Sequence, residues 1–250
     1  MKQHTDTLVG NGVRNGENAG TKDQNNGKNG QLNGNSSDAD IIILRFEPET
    51  EEEKDNQQKL AALRNTISSY LFEYLHGFHI PTHFVSKVSE IEMSVKKSEP
   101  ISLGFRIYNT ANGQLTKRFG LKEGVNIEFP IIEHYYNMNN RGISWVNEYH
   151  VYGLGISTPE EFRQMNRIAT KVNAVLRGLC DRRSLSLSEL NLTFGRLKGQ
   201  PILCGELSPV TCHFLDASSE QKNKRDRFTF GHDNTLETLM ELADRLMVKA

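Results

Sequence analysis

The residues best suited to chemistry lie in the stretch Leu185 to Asp216, LSLSELNLTFGRLKGQPILCGELSPVTCHFLD. Glu189, Asn191 and Thr193 alternate there with Leu190, Leu192 and Phe194, and Glu206 and His213 follow. A carboxylate and an imidazole within hydrogen-bond reach can perform general acid–base work. Glu189, Glu206, His213 and Asn191 are therefore the catalytic candidates, and each alone also serves as an ordinary structural hydrogen bonder. His76, His79 and His83 invite a metal reading, but Gly77 and Pro81 break any common helical face, so no metal ligands are assigned. Cys180, Cys204 and Cys212 are odd in number and lack CxxC spacing, which reads as free thiols in a reducing cytoplasm.

These side chains need a hairpin to present them. The alternation Glu189 to Phe194 predicts a strand with Leu190, Leu192 and Phe194 in a core and the polar set on one open face. Gly195 to Gln200 supplies turn chemistry, Pro201 to Leu207 returns as the second strand, and Pro209 stops regular pairing. Upstream, Ile41 to Phe46 reads as a β-branched strand. Leu60, Leu63, Ile67, Tyr70, Leu71, Tyr74 and Leu75 recur at helical spacing, so the pattern predicts a helix over 57–76 ended by Gly77. Further strands are expected around Phe84-Val85, Ile91 to Lys97, Ser102 to Asn109 and Pro130 to Tyr136. Thr158-Pro159-Glu160-Glu161 predicts a capping box opening a helix that runs to Cys180. A last helix, capped by Asn234 with Glu237, buries Leu236, Leu239, Met240, Ala243, Leu246 and Met247.

The chain has 250 residues and a formal net charge of -1, which allows one or two domains and gives no electrostatic case for nucleic acid or an acidic membrane surface. No apolar run approaches a membrane span, and the polar start lacks a signal-peptide core. Residues 1–39 are dominated by Asn, Gly and Lys, and such a segment is expected to be a disordered tail. Glu49 to Asp55 is an acidic run, read as a solvated loop or a first helical turn.

The hairpin resembles the signature hairpin of the SAICAR synthetase family, in which the first strand reads V-D-F-K-L-E-F-G and the second ends D-E-(I/F)-S-P-D. Other segments resemble the family in the same order. Gly77 to Val85 is similar to G-I-P-T-H-F, Ser94 to Lys97 to V-K-K, and Tyr108 to Leu115 to R-N-x-A-A-G-S-L. Lys117 to Gly124 is similar to K-R-x-G-x-x-E-G, Ile143 to Glu148 to D-P-M-V-N-E, and Lys224 to Phe228 to D-K-D-R-F. The resemblance spans about Ile41 to Val248. It implies an α+β fold of two lobes, antiparallel sheets with flanking helices: a truncated ATP-grasp-like N-terminal lobe over 40–99 and a C-terminal lobe over 100–250.

The resemblance also implies a reaction: ATP phosphorylates a carboxylate of a carboxylated aminoimidazole ribotide, and the amine of aspartate displaces phosphate. It places Lys96 and Lys97 beside the adenine, and Arg106, Tyr108, Asn109, Gln114 and Ser208 at the substrate. The chemistry on the open face departs from the family. Glu189 stands for Asp, Asn191 for Lys, Thr193 for Glu, Gly205 for Asp, Val210 for Asp, Tyr108 for Arg and His213 for Arg. Arg106, two residues before Tyr108 and so on the same strand face, is a partial substitute. The lysine-bearing G-K-x-K-x-(I/V)-Y start is missing, its place held by the Asn/Gly tail.

Three functions follow. The leading expectation is a non-catalytic or repurposed relative, ATP and Mg²⁺ no longer its cofactors, binding a small molecule or a protein partner. The second is ATP-independent chemistry by Glu189, Glu206, His213 and Asn191. The third is the family's ligation, alone or as a hetero-oligomer with an intact paralogue; the family's habit also implies a homo-oligomer.

Overall fold

The computed structural model describes residues 40–46, 54–137, 143–219, 226–228 and 236–247. The expected disordered tail, most of the acidic run, the Asn234 cap and Lys224-Arg225 lie outside the described residues. Residues 39–250 group as one compact unit. Its strands are β1 (Ile41–Arg45), β2 (Phe84–Lys87), β3 (Glu92–Lys96), β4 (Glu99–Thr110), β5 (Asn126–Asn137), β6 (Ile143–Val146), β7 (Leu185–Leu197), β8 (Gln200–Cys204) and β9 (Cys212–Asp216). Its helices are α1 (Lys54–His76), α2 (Gly113–Phe119), α3 (Glu148–Gly153), α4 (Pro159–Asp181) and α5 (Leu236–Met247).

The strands form two antiparallel sheets, one ordered β1-β3-β2, the other β6-β5-β4-β7-β8 with β9 also pairing β7. The sheets change over between Lys96, where β3 ends, and Glu99, where β4 begins. With helices laid against antiparallel sheets, the fold is α+β, as expected.

The second sheet has two unlike faces, fixed by strand alternation. Phe105 and Ile107 of β4 stand opposite Leu192 and Leu190 of β7. That face carries α4, whose Phe162, Met165, Ala169, Val172 and Leu176 are buried. Arg106 and Tyr108 stand opposite Asn191 and Glu189 and define the other face. The buried apolar cluster continues through Ile67, Leu71 and Leu75 of α1, Phe84, Met93 and Val95 of β2 and β3, and Leu239, Leu242 and Leu246 of α5.

Several boundaries differ from the sequence expectation for physical reasons. The return strand stops at Cys204 because Gly205 adopts a left-handed φ of 81°, which turns the chain out of the ladder and leaves Glu206-Leu207 irregular. Pro209 does not end the pairing altogether, because β9 rejoins β7 with His213 opposite Glu189. Thr158 caps α4 as expected, its Oγ1 accepting from Glu161 N at 3.2 Å. The other half of the capping box is spent elsewhere: both Glu161 carboxylate oxygens accept from Arg196, at 2.5 and 2.8 Å. The segment 117–124, similar to K-R-x-G-x-x-E-G, contains the end of α2, closed by Gly120 at φ 63°.

Candidate functional site

On the open face, Arg106 is the centre of the constellation. Its Nε donates to Asn191 Oδ1 at 2.8 Å and lies 3.2 Å from Glu189 Oε1. Asn191 Nδ2 donates to the same carboxylate oxygen at 3.2 Å. Glu189 is only 6 % exposed, so this is a covered ion pair rather than an exposed carboxylate. Burial works against the Arg106 charge, but Glu189 and Tyr108 more than offset it, and its pKa is raised. Burial, reinforced by Glu189 and opposed by Arg106, pushes the buried Tyr108 hydroxyl up to about 12. His213 Nδ1 stands 3.9 Å from Glu189 Oε2, beyond hydrogen-bond reach.

Four further side chains complete this face, none of them singled out from the sequence. Tyr135 of β5 lies across Gly104 so closely that a Cβ there would sit 2.1 Å from its ring, which is why β4 needs glycine at that point. The Arg106 guanidinium lies 5.8 Å from the Tyr135 ring and 5.4 Å from Trp145 of β6. Arg118 of α2 lies 5.2 Å from Trp145 and donates to both oxygens of Glu133, at 2.5 and 2.6 Å. Alternation through the Pro130 to Tyr136 strand places Glu133 and Tyr135 together, but only the β4–β5 register sets Glu133 beside Arg106.

Glu206 is not part of this group. It faces α1, where Arg64 donates to it through Nε at 3.2 Å and Nη2 at 2.8 Å. Ser208 Oγ donates to Glu206 Oε1 at 2.5 Å, while accepting from Val210 N at 3.2 Å. Ser208, a substrate candidate, is thus fully engaged in the turn that leaves the hairpin. Among the described residues no hydrogen bond or ion pair joins Glu206 to Glu189.

Asn109 is directed elsewhere as well. Its amide forms a reciprocal pair with Asn173 of α4, at 2.8 and 2.9 Å, both residues buried between sheet and helix. Its position, odd against the even-numbered Arg106 and Tyr108, puts it on the covered face. Asn147 caps α3, its Oδ1 accepting from His150 N at 3.2 Å. Gln114 falls within α2.

Lys96 closes β3 and Lys97 follows it, with Lys96 N donating to His83 O and Lys97 N to Asp40 O, both at 2.7 Å. His83 Nε2 meets Gly205 O at 3.0 Å, so its Nε2–H is the donor. Burial lowers His83 to about 4, with the Lys96 charge adding to the effect and the Gly205 bond opposing it. Lys96 is therefore within electrostatic reach of the hairpin exit.

At that exit Thr193 and Gly205 face each other. A Cβ at Gly205 would lie 2.6 Å from Thr193 Oγ1, and that hydroxyl donates to Cys204 O at 3.1 Å. Magnesium takes oxygen ligands and is usually held by one or two carboxylates together with substrate phosphates. A hydroxyl already donating, beside a glycine, does not supply that donor set. The corner does not fit a magnesium-bound nucleotide of the kind the resemblance implies. Among the described residues no group of three or more His, Cys, Asp and Glu could hold a metal ion.

Comparison with known proteins bears on the whole fold. The family model for SAICAR synthetase matches residues 50–240. The phosphoribosylaminoimidazole-succinocarboxamide synthase of Clostridium perfringens (strain SM101 / Type A) is 33% identical over 211 residues, covering 83% of this chain and 90% of its own. That of Clostridium botulinum (strain Hall) is 31% identical over 215 residues, covering 84% and 92%. Among solved structures, the synthase from Ehrlichia chaffeensis superimposes with a TM-score of 0.74 at 29% identity, covering 84% of this chain and 92% of that one. A SAICAR synthetase in complex with ADP gives 0.75 at 29% identity, with the same coverage.

Proposed function

The chain belongs to the SAICAR synthetase family, and from that premise we propose that it is a ligand-binding member which does not itself carry out magnesium-dependent phosphoryl transfer. The observation that carries this reading is the Thr193–Gly205 contact, which fills with a hydroxyl and a bare backbone the corner where the family has two carboxylates. Phosphoryl transfer rests on cations that screen charge gathering on the phosphate oxygens. Arg106 is engaged with Glu189 and Asn191, and Arg118 with Glu133. A face compensated in this way favours a polar, near-neutral ligand over a polyanion. Arg106, Asn191 and His213 are the residues that would contact it, with the buried Tyr108 behind Arg106.

A second reading, ATP-dependent amide ligation alone or with an intact paralogue, has its own support. The relatives aligned along more than four fifths of this chain are named as synthases, and one superimposed structure is a complex with ADP. On identity and coverage alone, the comparisons favour ligation. In that reading Lys96 and Lys97 serve the nucleotide.

Calorimetric titration with ATP, with and without Mg²⁺, separates the two. The binding-protein reading expects no magnesium-dependent heat up to millimolar ATP. Magnesium-dependent binding at micromolar strength would overturn it, and would make ligation, with carboxylate and amine substrates, the reading to pursue.

A further inference from the structure

A second concave site lies away from the hairpin, at the outer edge of the larger sheet. β6 pairs only with residues 134–137 of β5 and ends at Val146, where the chain turns into α3. Among the described residues the β5 edge at Ile132 and Glu133 has no strand neighbour there, and a cleft of about 440 Å³ opens beside it. Its floor is apolar, with Phe162 and the His134 ring, the latter kept neutral-leaning by burial and bonded to Asn166 at 3.1 Å. Its walls hold two aromatic rings, Trp145 and Tyr149, and two carboxylates, Glu133 and Glu148.

Among the described residues no lysine or arginine lines this cleft. The chain itself shows what its rim accepts. Arg118 places a guanidinium 5.2 Å from the Trp145 ring with both Glu133 oxygens as acceptors, which is a complete carboxylate-and-ring seat for an organic cation. Arg118 neutralises Glu133 only. Glu148 accepts a weak bond from Tyr152 at 3.4 Å and makes no ion pair among the described residues. Tyr149, 76 % exposed, stands next to it in α3.

We propose that this cleft binds a small organic cation, an ammonium or guanidinium on a short apolar stem. Glu148 is its counter-ion, Trp145 and Tyr149 flank the charge, and the Phe162 floor takes the stem. The size lies within the usual range for small-molecule sites. The site shares Trp145 and Glu133 with the Arg106 face, draws its counter-ion Glu148 from α3, and does not rest on either reading of that face.

Trp145 is the chain's one tryptophan, so its fluorescence reports on this cleft and on the adjoining Arg106 and Arg118 guanidiniums, and Glu148→Gln assigns the response to the cleft. Titration with n-butylammonium at fixed ionic strength should give a saturable change in the millimolar range, while butyrate and n-butanol give none. Glu148→Gln, at an exposed helix start, should weaken the n-butylammonium midpoint at least fivefold with an unchanged thermal transition. Trp145→Phe, followed by calorimetry instead, should weaken it as well. No saturable change below 100 mM, an equal response to butyrate or n-butanol, or an unaltered midpoint in Glu148→Gln would each overturn the assignment.

Discussion

Thr193 and Gly205 stand against each other across the mouth of the β7–β8 hairpin, with 2.6 Å between Thr193 Oγ1 and the place a Cβ at Gly205 would take. Gly205 is also held at φ 81°, a conformation that costs an L-residue roughly 1–2 kcal/mol. Two separate penalties therefore meet in Gly205→Ala, one from the backbone and one from the threonine. The substitution should destabilise the fold by about 2 kcal/mol in urea unfolding, and by less in a Thr193→Ala background, where only the backbone penalty remains. A coupling above about 0.5 kcal/mol in that cycle is the signature of direct contact. Additive effects would place the two residues apart.

Arg106 and Glu189 form a pair whose side chains are 11% and 8% exposed. Removing one charge leaves the other buried, which typically costs about 3–5 kcal/mol, while replacing both by apolar groups is often neutral. Asn191 still accepts from Arg106, so Glu189→Gln should fall at the lower end, about 3 kcal/mol by denaturant titration. Arg106→Met with Glu189→Leu should recover most of that loss. A Glu189→Gln variant within 0.5 kcal/mol of the parent would contradict the covered-pair description.

The sequence exposes the apolar side of this architecture more readily than its polar side. Alternation through Glu189–Phe194 correctly separates Leu190, Leu192 and Phe194 from the polar set, because burial on one face imposes a period of two. It does not show that Glu189 is itself buried, since that depends on Arg106 and Tyr108 arriving from a strand some 80 residues earlier. Glu206 looks equivalent to Glu189 in the sequence. The left-handed turn at Gly205 sends it to Arg64 instead. Alternation puts Glu133 and Tyr135 on one strand face, but nothing local joins them to Arg118, Trp145 or Arg106, because strand register and the seat of α2 bring those together. The family motifs locate the hairpin, whereas the constellation on it is a property of tertiary pairing.

Asn65 illustrates a polar residue that helical periodicity overlooks. It is fully buried on α1, and its Nδ2 lies within 2.9 to 3.2 Å of the carbonyls of Ser89, Glu90 and Glu92. Those contacts clamp the loop before β3 onto the helix. Asn65→Ala takes this donor from the Ser89 and Glu90 carbonyls and should cost about 1 kcal/mol, the usual net contribution of a hydrogen bond. Hydrogen exchange should show loss of protection concentrated in residues 88–92. Uniform loss across the chain would mean that Asn65 supports the whole fold rather than this loop.

His83 sets the pH dependence. Its folded pKa lies near 4 against an ordinary value of 6.5, so between those limits the unfolded chain binds a proton that the native chain refuses. Its contribution is present in full above pH 6.5 and is lost as pH falls toward 4, by up to about 3 kcal/mol. Burial lowers His76 and His134 in the same sense, so the parent slope combines several imidazoles. Asp216 lies outside this window. Burial pushes its carboxyl up, but bonds from Ser218, Arg245 and Arg227 pull it well below the ordinary carboxylate range. Its stabilisation is lost only in stronger acid. His83→Gln keeps a donor for Gly205 O and removes the titration. Urea midpoints measured at half-unit steps from pH 7 to 4 should then fall less steeply than in the parent, by close to one proton near pH 5. Parallel curves would show that His83 binds its proton at the same pH folded and unfolded, so that its burial does not lower its pKa.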